Sequence, residues 1–249
     1  MKTFLRVLSI VAFLAGSHWA MAAADQPGGF DGSNRPPGKE PEWNVWVEVL
    51  MVALPQEKAF ALLPDLRSPE KIDGAVAQIL RAIEAKEATL TGWPAGSTPD
   101  QTRFVVETIF EQRYTAGFDL NPVSGKAGTA PPKTGEPAAA GRPIFASFET
   151  RNTGVTLEAE PTVLPGGQWI NLSLVPQRVA MRGWDSYEAI RLPEGKVLNL
   201  DHPQFYTLKT TATVLLRNGE RKLLAVHKLP PPDTQIEFFI VQATATPAK

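Results

Sequence analysis

The chain has no cysteine. A fold without disulfides must draw its stability from packing and backbone pairing. Histidine is nearly as scarce, with three in 249 residues. His202 and His227 lie on separate segments, and a zinc site would want more ligands or tighter spacing. An excess of charge of either sign is also missing: 25 Lys and Arg stand against 26 Asp and Glu. That leaves no basic field to attract nucleic acid or an anionic membrane surface. The apolar run at residues 7–15 is too short to cross a bilayer as a helix, which needs ~20 residues. There is no Gly-x-Ser-x-Gly elbow and no phosphate-cradling glycine loop. No catalytic residue, metal ligand set or cofactor site is assigned from the sequence.

What is present starts with an export signal. Lys2 and Arg6 supply a positive n-region, residues 7–15 an apolar core, and Ala20-Met21-Ala22 a small-x-small cleavage form. The other reading, an uncleaved anchor, is disfavoured by so short a core. Removing residues 1–22 leaves 23 basic and 26 acidic residues, a net charge of −3. Proline is abundant, 23 of 249, and its clustering marks boundaries. Residues 23–42 hold one large apolar side chain, Phe30, too little to offset the entropy of ordering, so this segment is expected to be a flexible arm.

Periodic sequence begins at Trp43. Residues 44–54 (NVWVEVLMVAL) are apolar on both faces, the mark of a central, covered strand. A short helix through Phe60 and Leu63 is expected to stop before Pro64. Ser68-Pro69 is a helix start, and Ile72, Val76, Ile79, Leu80 and Ile83 repeat at helical spacing. That predicts an amphipathic helix over 72–87 whose stripe covers the sheet. Residues 103–114 alternate as a half-exposed strand ending at Tyr114. Residues 121–143 lack aromatics and predict a long disordered loop.

Val155, Leu157 and Ala159 then alternate with Thr156, Glu158 and Glu160, and a Pro165-Gly166-Gly167 turn leads to a strand over 169–175, together a hairpin. Residues 180–204 look irregular, anchored by Trp184, Tyr187 and Pro193. A strand over 205–216, Asn218-Gly219, and a strand over 222–227 predict a second hairpin. A last apolar strand covers 236–243. The sum is an α+β fold, mainly antiparallel β, with about seven or eight strands and two early helices.

This ordered set resembles the C-terminal homology domain of secretins, the multimeric outer-membrane gates of type II and type III secretion and of type IV pili. The likeness begins at Val45-Trp46-Val47-Glu48-Val49 and continues through the helix at 72–87 and the strand ending in Tyr114. Its sharpest stretch is 148–161, FETRNTGVTLEAEP, similar to the family's Val-Gly-x-x-Leu-x-x-x-Pro with Thr153 in the place of valine. Residues 170–176 (INLSLVP), Asn218-Gly219 and Phe238-Phe239-Ile240-Val241 follow in the family's order, so the resemblance spans 44–247.

The resemblance implies a secretin-like β domain over 43–247 acting by subunit association in protein secretion or pilus passage. It implies the periplasm or outer membrane of a Gram-negative-type envelope. Its partners would be further copies of the chain or other envelope secretion proteins. Tyr114, Gly154, Val155, Leu157, Pro161, Asn218 and Gly219 are the motif and assembly candidates. Gly154 fits either a close approach of backbones or an ordinary β-bulge.

Departures accompany the likeness. The family's small periplasmic docking domains have no counterpart in the arm at 23–42. Val226-His227-Lys228-Leu229 stands where the family has a glycine pair before leucine. No segment reads as a convincing lipid-facing hairpin, which needs strands of ~9–11 residues with an apolar outer face. Two other functions stay open: a soluble periplasmic interaction module that keeps the fold without a pore, and a glycan hydrolase using Glu158 and Glu160. For that pair, two solvent-facing glutamates on a half-buried strand are the ordinary reading. Trp169 and Trp184 suit core or interface packing, or stacking on a sugar ring.

Overall fold

The segment apolar on both faces forms β1 (Trp43–Pro55) and is covered on both faces. The computed structural model describes residues 42–119, 145–191, 195 and 197–248. The expected signal peptide at 1–22, all of the 23–42 arm but Glu42, and the 121–143 loop lie outside the described residues.

Two helices, α1 (Gln56–Leu66) and α2 (Ile72–Glu84), follow β1. The remaining strands are β2 (Thr89–Gly92), β3 (Ala95–Pro99), β4 (Phe104–Asp119), β5 (Phe145–Val163), β6 (Trp169–Arg191), β7 (Val197–Lys209), β8 (Ala212–Arg217), β9 (Arg221–Lys228) and β10 (Gln235–Pro247). Every pairing is antiparallel, so the fold is α+β and mainly antiparallel β. The described residues form two helices and ten strands, more than the sequence pattern suggested.

The first sheet runs β2-β1-β10-β9, with β3 also on β1. The second runs β4-β5-β6-β7, with β8 also on β6. Val45, Val47, Val49 and Met51 of β1 and Phe239, Val241 and Ala243 of β10 meet Leu157, Leu172 and Leu174 of the second sheet. On the other face, Leu50, Val52 and Leu54 meet Ile72, Val76 and Ile79 of α2, together with Phe238 and Ile240. The result is three layers: helices, first sheet, second sheet. Full burial of each such side chain contributes about 1.5–3 kcal/mol, which is why β1 and β10, covered on both sides, are the most strongly held strands.

Several expectations change. Pro64 sits inside α1, which runs on to Leu66. So near the helix end the missing N–H removes one bond, and Arg67 N–H to the Leu63 carbonyl and Ser68 N–H to the Asp65 carbonyl close the turn. Ser68 does not cap α2 with its side chain. The helix begins a turn later, after Lys71, and the Ser68 carbonyl accepts from the Lys71 and Ile72 amides. Its C-terminus comes at Glu84, earlier than expected, because Lys86 turns left-handed (φ 60°). Glu87 N–H then reaches the Ala82 carbonyl and Lys86 N–H the Ile83 carbonyl, a Schellman closure.

The predicted strand over 205–216 is two strands. β7 ends at Lys209, the Thr210 amide bonds the Pro176 carbonyl, and β8 pairs further along β6. Asn218-Gly219 does not join a hairpin, because β8 belongs to the second sheet and β9 to the first. Only Gly219 of the two has positive φ, 84°, so the type I′ geometry that makes Asn-Gly a hairpin signal is absent. Instead the Asn218 amide is bonded on both sides to the Ala245 backbone, at 2.9 and 2.8 Å, and carries the chain from one sheet to the other. Residues 180–191 and 197–204 are far from irregular, since they supply the outer reaches of β6 and β7, while the predicted anchor Pro193 lies outside the described residues. They lack a clean alternation because no core lies beneath them, while the ladder between them satisfies their backbone groups.

Gly154 faces both neighbours, opposite Ile109 of β4 and Val179 of β6, with φ 123°. A β-carbon there would run into the Thr108 carbonyl oxygen. Gly154→Ala is expected to lower unfolding free energy by at least about 2 kcal/mol in urea titrations. Gly183→Ala, where a β-carbon meets nothing within 4 Å, should change it by less than about 0.5 kcal/mol.

Candidate assembly surface

The second sheet is built of two long hairpins. β4 and β5 pair from Phe104↔Ala159 out to Asp119↔Phe145. β6 and β7 pair from Gln177↔Lys209 out to Arg191↔Val197. Between the hairpins, β5 and β6 pair only from Val163↔Ile170 to Gly154↔Val179, and there they part. The near halves lie on the core, and the far halves stand beyond it.

The fork is anchored by a buried ion pair. Glu237 of β10 is fully buried between the sheets, and Arg178 of β6, adjacent to the last paired residue, is 16% exposed. The guanidinium lies 2.9 Å from Glu237 Oε2 and donates to the Tyr206 hydroxyl of β7 at 3.0 Å. The Thr91 hydroxyl donates to Glu237 Oε1 at 2.6 Å. Thr91 is the extra residue of a bulge in β2, since Met51 opposes Gly92 and Val52 opposes Leu90. That bulge aims its side chain across Ala53 toward the carboxylate. Burial pushes the Glu237 carboxyl above its ordinary value, against the Thr91 bond and the Arg178 charge, which pull it down. No buried side-chain polar atom among the described residues lacks a partner.

Beyond the fork the outer strands β4 and β7 approach without pairing. The Tyr114 ring lies 6.1 Å from both His202 and Phe205, and the Arg151 guanidinium 5.8 Å from Phe205. The Tyr114 hydroxyl donates to Glu149 at 3.0 Å. That bond, then burial and the Glu149 charge, raises the tyrosine's pKa. Neither β4 nor β7 has a strand on its outer side among the described residues. Large apolar groups stand in water on β4, where Phe110 is 66% exposed and Val105 and Ile109 are also exposed, and on its neighbours, Phe148 of β5 and Tyr187 of β6.

At 16, 19, 23 and 13 residues, these strands exceed the ~9–11 a bilayer requires, a length the sequence pattern hid. Their faces are mixed. Residues opposite one another share a face, which puts Glu107, Glu111 and Arg113 with Asn152 and Thr150 on one side of the first hairpin. Tyr114, Gln112, Arg151 and Glu149 fall on the other. No helix of the described residues is long and apolar enough to cross a membrane.

The predicted motif residues fall into four places. Tyr114 stands on the outer part of the first hairpin, and Gly154 at the fork. Val155, Leu157 and Pro161 are buried core positions of β5. Asn218 and Gly219 lie at the crossover, held to Ala245 and Ala243. Arg178 and Glu237 were missed. The available signal was one carboxylate in the otherwise apolar run 236–241, where an unpaired charge would be costly.

Glu158 is engaged by Arg103 at 2.7 Å on the outer face, and Glu160 is also engaged. His227 is partly buried against the Phe239 ring, 4.8 Å away, and burial lowers its pKa. No group of three or more potential metal ligands gathers among the described residues.

No family model matches the chain, and no curated protein matches it. Solved structures similar to it include the type II secretion system secretin GspD of E. coli K12, at 12% identity and TM-score 0.39, covering 84% of this chain and 51% of that one. Aeromonas hydrophila ExeD is similar at 12% identity and TM-score 0.37, over 83% and 49% of the two chains. The Salmonella SPI-1 type III secretion injectisome secretin InvG is similar at 7% identity and TM-score 0.37, over 84% and 64%. The chain thus spans about half the length of the first of these.

Removing the cation from the fork should show the charge balance. Without Arg178 the Glu237 carboxyl rises further above its unfolded value, so between the two values the folded state holds the extra proton. Stability therefore falls as pH rises through that window and returns as pH falls below it. Arg178→Met is expected to cost about 3–5 kcal/mol at pH 8, with a smaller loss relative to the parent near pH ~5. The double variant Arg178→Met/Glu237→Leu should recover most of it. Urea denaturation across pH checks both.

Proposed function

We propose that this chain is a secretin-like structural component of the bacterial envelope, exported through its N-terminal signal and acting by subunit association in protein secretion or pilus passage. The supporting observation is the four-stranded antiparallel meander, carried past the core by two long hairpins, whose β4 and β7 have no strand on their outer sides among the described residues. The order of sequence motifs over 44–247 points the same way.

The physics of that arrangement favours association. Long unpaired edges are templates for pairing with another chain. β4 and β7 run antiparallel, so β4 of a neighbour laid beside β7 continues the meander with the same hydrogen-bond pattern. The two edges are different surfaces, so the contact is head-to-tail and either closes into a ring or runs on as a filament. Closure pairs the β4 and β7 edges of every subunit. In this reading the helix-covered first sheet is a rigid base from which the hairpins project. The periplasm or outer membrane is the place proposed for it.

A second reading, an interaction module without a pore, draws on the mixed faces of the hairpins. Glu107, Glu111, Arg113, Arg151 and Glu149 interrupt any apolar band that lipid would require.

The mature protein, extracted from envelopes in mild detergent, is expected to have the native mass of a large homo-oligomer. Phe110→Lys, at a position contributing little burial, is expected to shift that mass toward the monomer while leaving the thermal midpoint within about 2 °C. A monomer or dimer released without detergent would sink the gate reading and leave the interaction module.

A further inference from the structure

We propose that the cleft between the outer parts of the two hairpins is a saccharide-binding site for uncharged pyranose oligosaccharides. It measures about 490 Å³ and is lined by Arg113, Tyr114, Thr115 and Phe148 from the first hairpin and by Trp184, Asn199 and Asp201 from the second. That volume is within the ~300–1,000 Å³ of small-ligand sites.

The lining carries the chemistry. Trp184 is 48% exposed, and no ring or cation of the described residues covers it. A large flat aromatic face open to a cleft suits the C–H face of a sugar ring, while its indole N–H remains a donor. Trp184 stands opposite Pro203 in the β6/β7 ladder, with Asp201 two residues along β7 and Asn199 two further on the same face. The three therefore form a row, an aromatic platform followed by an acceptor and a group that both donates and accepts. The Trp184, Asn199, Asp201 and Thr115 side chains make no hydrogen bond or ion pair with the described residues, and the Arg113 guanidinium rests only on the Phe148 ring, 4.4 Å from its centroid.

Hydroxyl-rich ligands match such a set, because each hydroxyl both donates and accepts. A carboxylate can take two neighbouring hydroxyls, and an amide can answer either polarity. Arg113 and Asp201 balance in charge, and Asp201 would repel a phosphate or other polyanion. That separates a sugar from a nucleotide, which could also stack on tryptophan.

The inference does not rest on the assembly reading, and the two are read separately, one by native mass and the other by saccharide affinity. Isothermal titration calorimetry of the extracted mature protein with cellotetraose, maltotetraose, tetra-N-acetylchitotetraose and AMP tests it. At least one saccharide is expected to bind with Kd of about 1 mM or tighter. Trp184→Ala and Asp201→Ala should each weaken that binding at least tenfold, with thermal midpoints matching the parent. Trp184→Phe should retain part of it, which serves as the check should the alanine variant fail to fold. The proposal is overturned if none of the saccharides binds at 10 mM, if Asp201→Ala binds as the parent does, or if AMP binds more tightly than every saccharide.

Discussion

The Arg178–Glu237 pair is the constraint on which the arrangement of the second sheet depends. A fully buried carboxylate cannot persist without a cation and a full set of hydrogen bonds. Here the cation comes from β6, one bond from a bulged residue of β2, and the carboxylate from β10. Arg178 immediately precedes the last residue of β6 that pairs with β5, and its other bond goes to Tyr206 of β7. One interaction therefore ties the helix-covered sheet to the root of the second hairpin. Apolar contacts between sheets tolerate sliding, whereas a buried ion pair has one good geometry.

Gly154 is the complementary device on the other hairpin. Its positive φ and the close Thr108 carbonyl admit no side chain, so the strand changes course at the position where the β5/β6 ladder ends. Energy is distributed accordingly. β1 and β10 are packed on both faces, while the outer hairpins bury little and are held by their own ladders and by ring contacts about 6 Å apart. Such an arrangement leaves unpaired edges and exposed aromatics in the same place. Both are features that monomeric β proteins ordinarily cover or charge. The proposed association supplies that cover, and the proposed saccharide cleft uses the exposed tryptophan between the same hairpins.

The covered parts of the fold were legible because burial writes a pattern. β1 and β10 are apolar runs interrupted chiefly by Glu48 and Glu237, α2 repeats at helical spacing, and β5 alternates, so all four were visible in the sequence. The outer half of β6 and most of β7 were not, since residues without a core beneath them need not alternate. β2 and β3 are short and rich in glycine, threonine and serine, and they hold their places only because β1 offers an edge. Of the motif residues, Leu157 and Pro161 proved to be core positions whose apolar character packing alone requires. Glu237 left a trace, a lone charge in an apolar run, but its partner could not be named from a chain in which 59 residues separate it from Arg178.

By itself the sequence determined the class of fold, the central strand, the covering helix and the absence of disulfide support, because each depends on composition or short-range periodicity. Only the tertiary structure decided which strands share a sheet, that Asn218-Gly219 passes between sheets, and where the hairpins part. Those outcomes depend on contacts between residues far apart in the chain. The pairing of Arg178 with Glu237 is the clearest case, since neither residue's local sequence shows that burial will bring the two charges together.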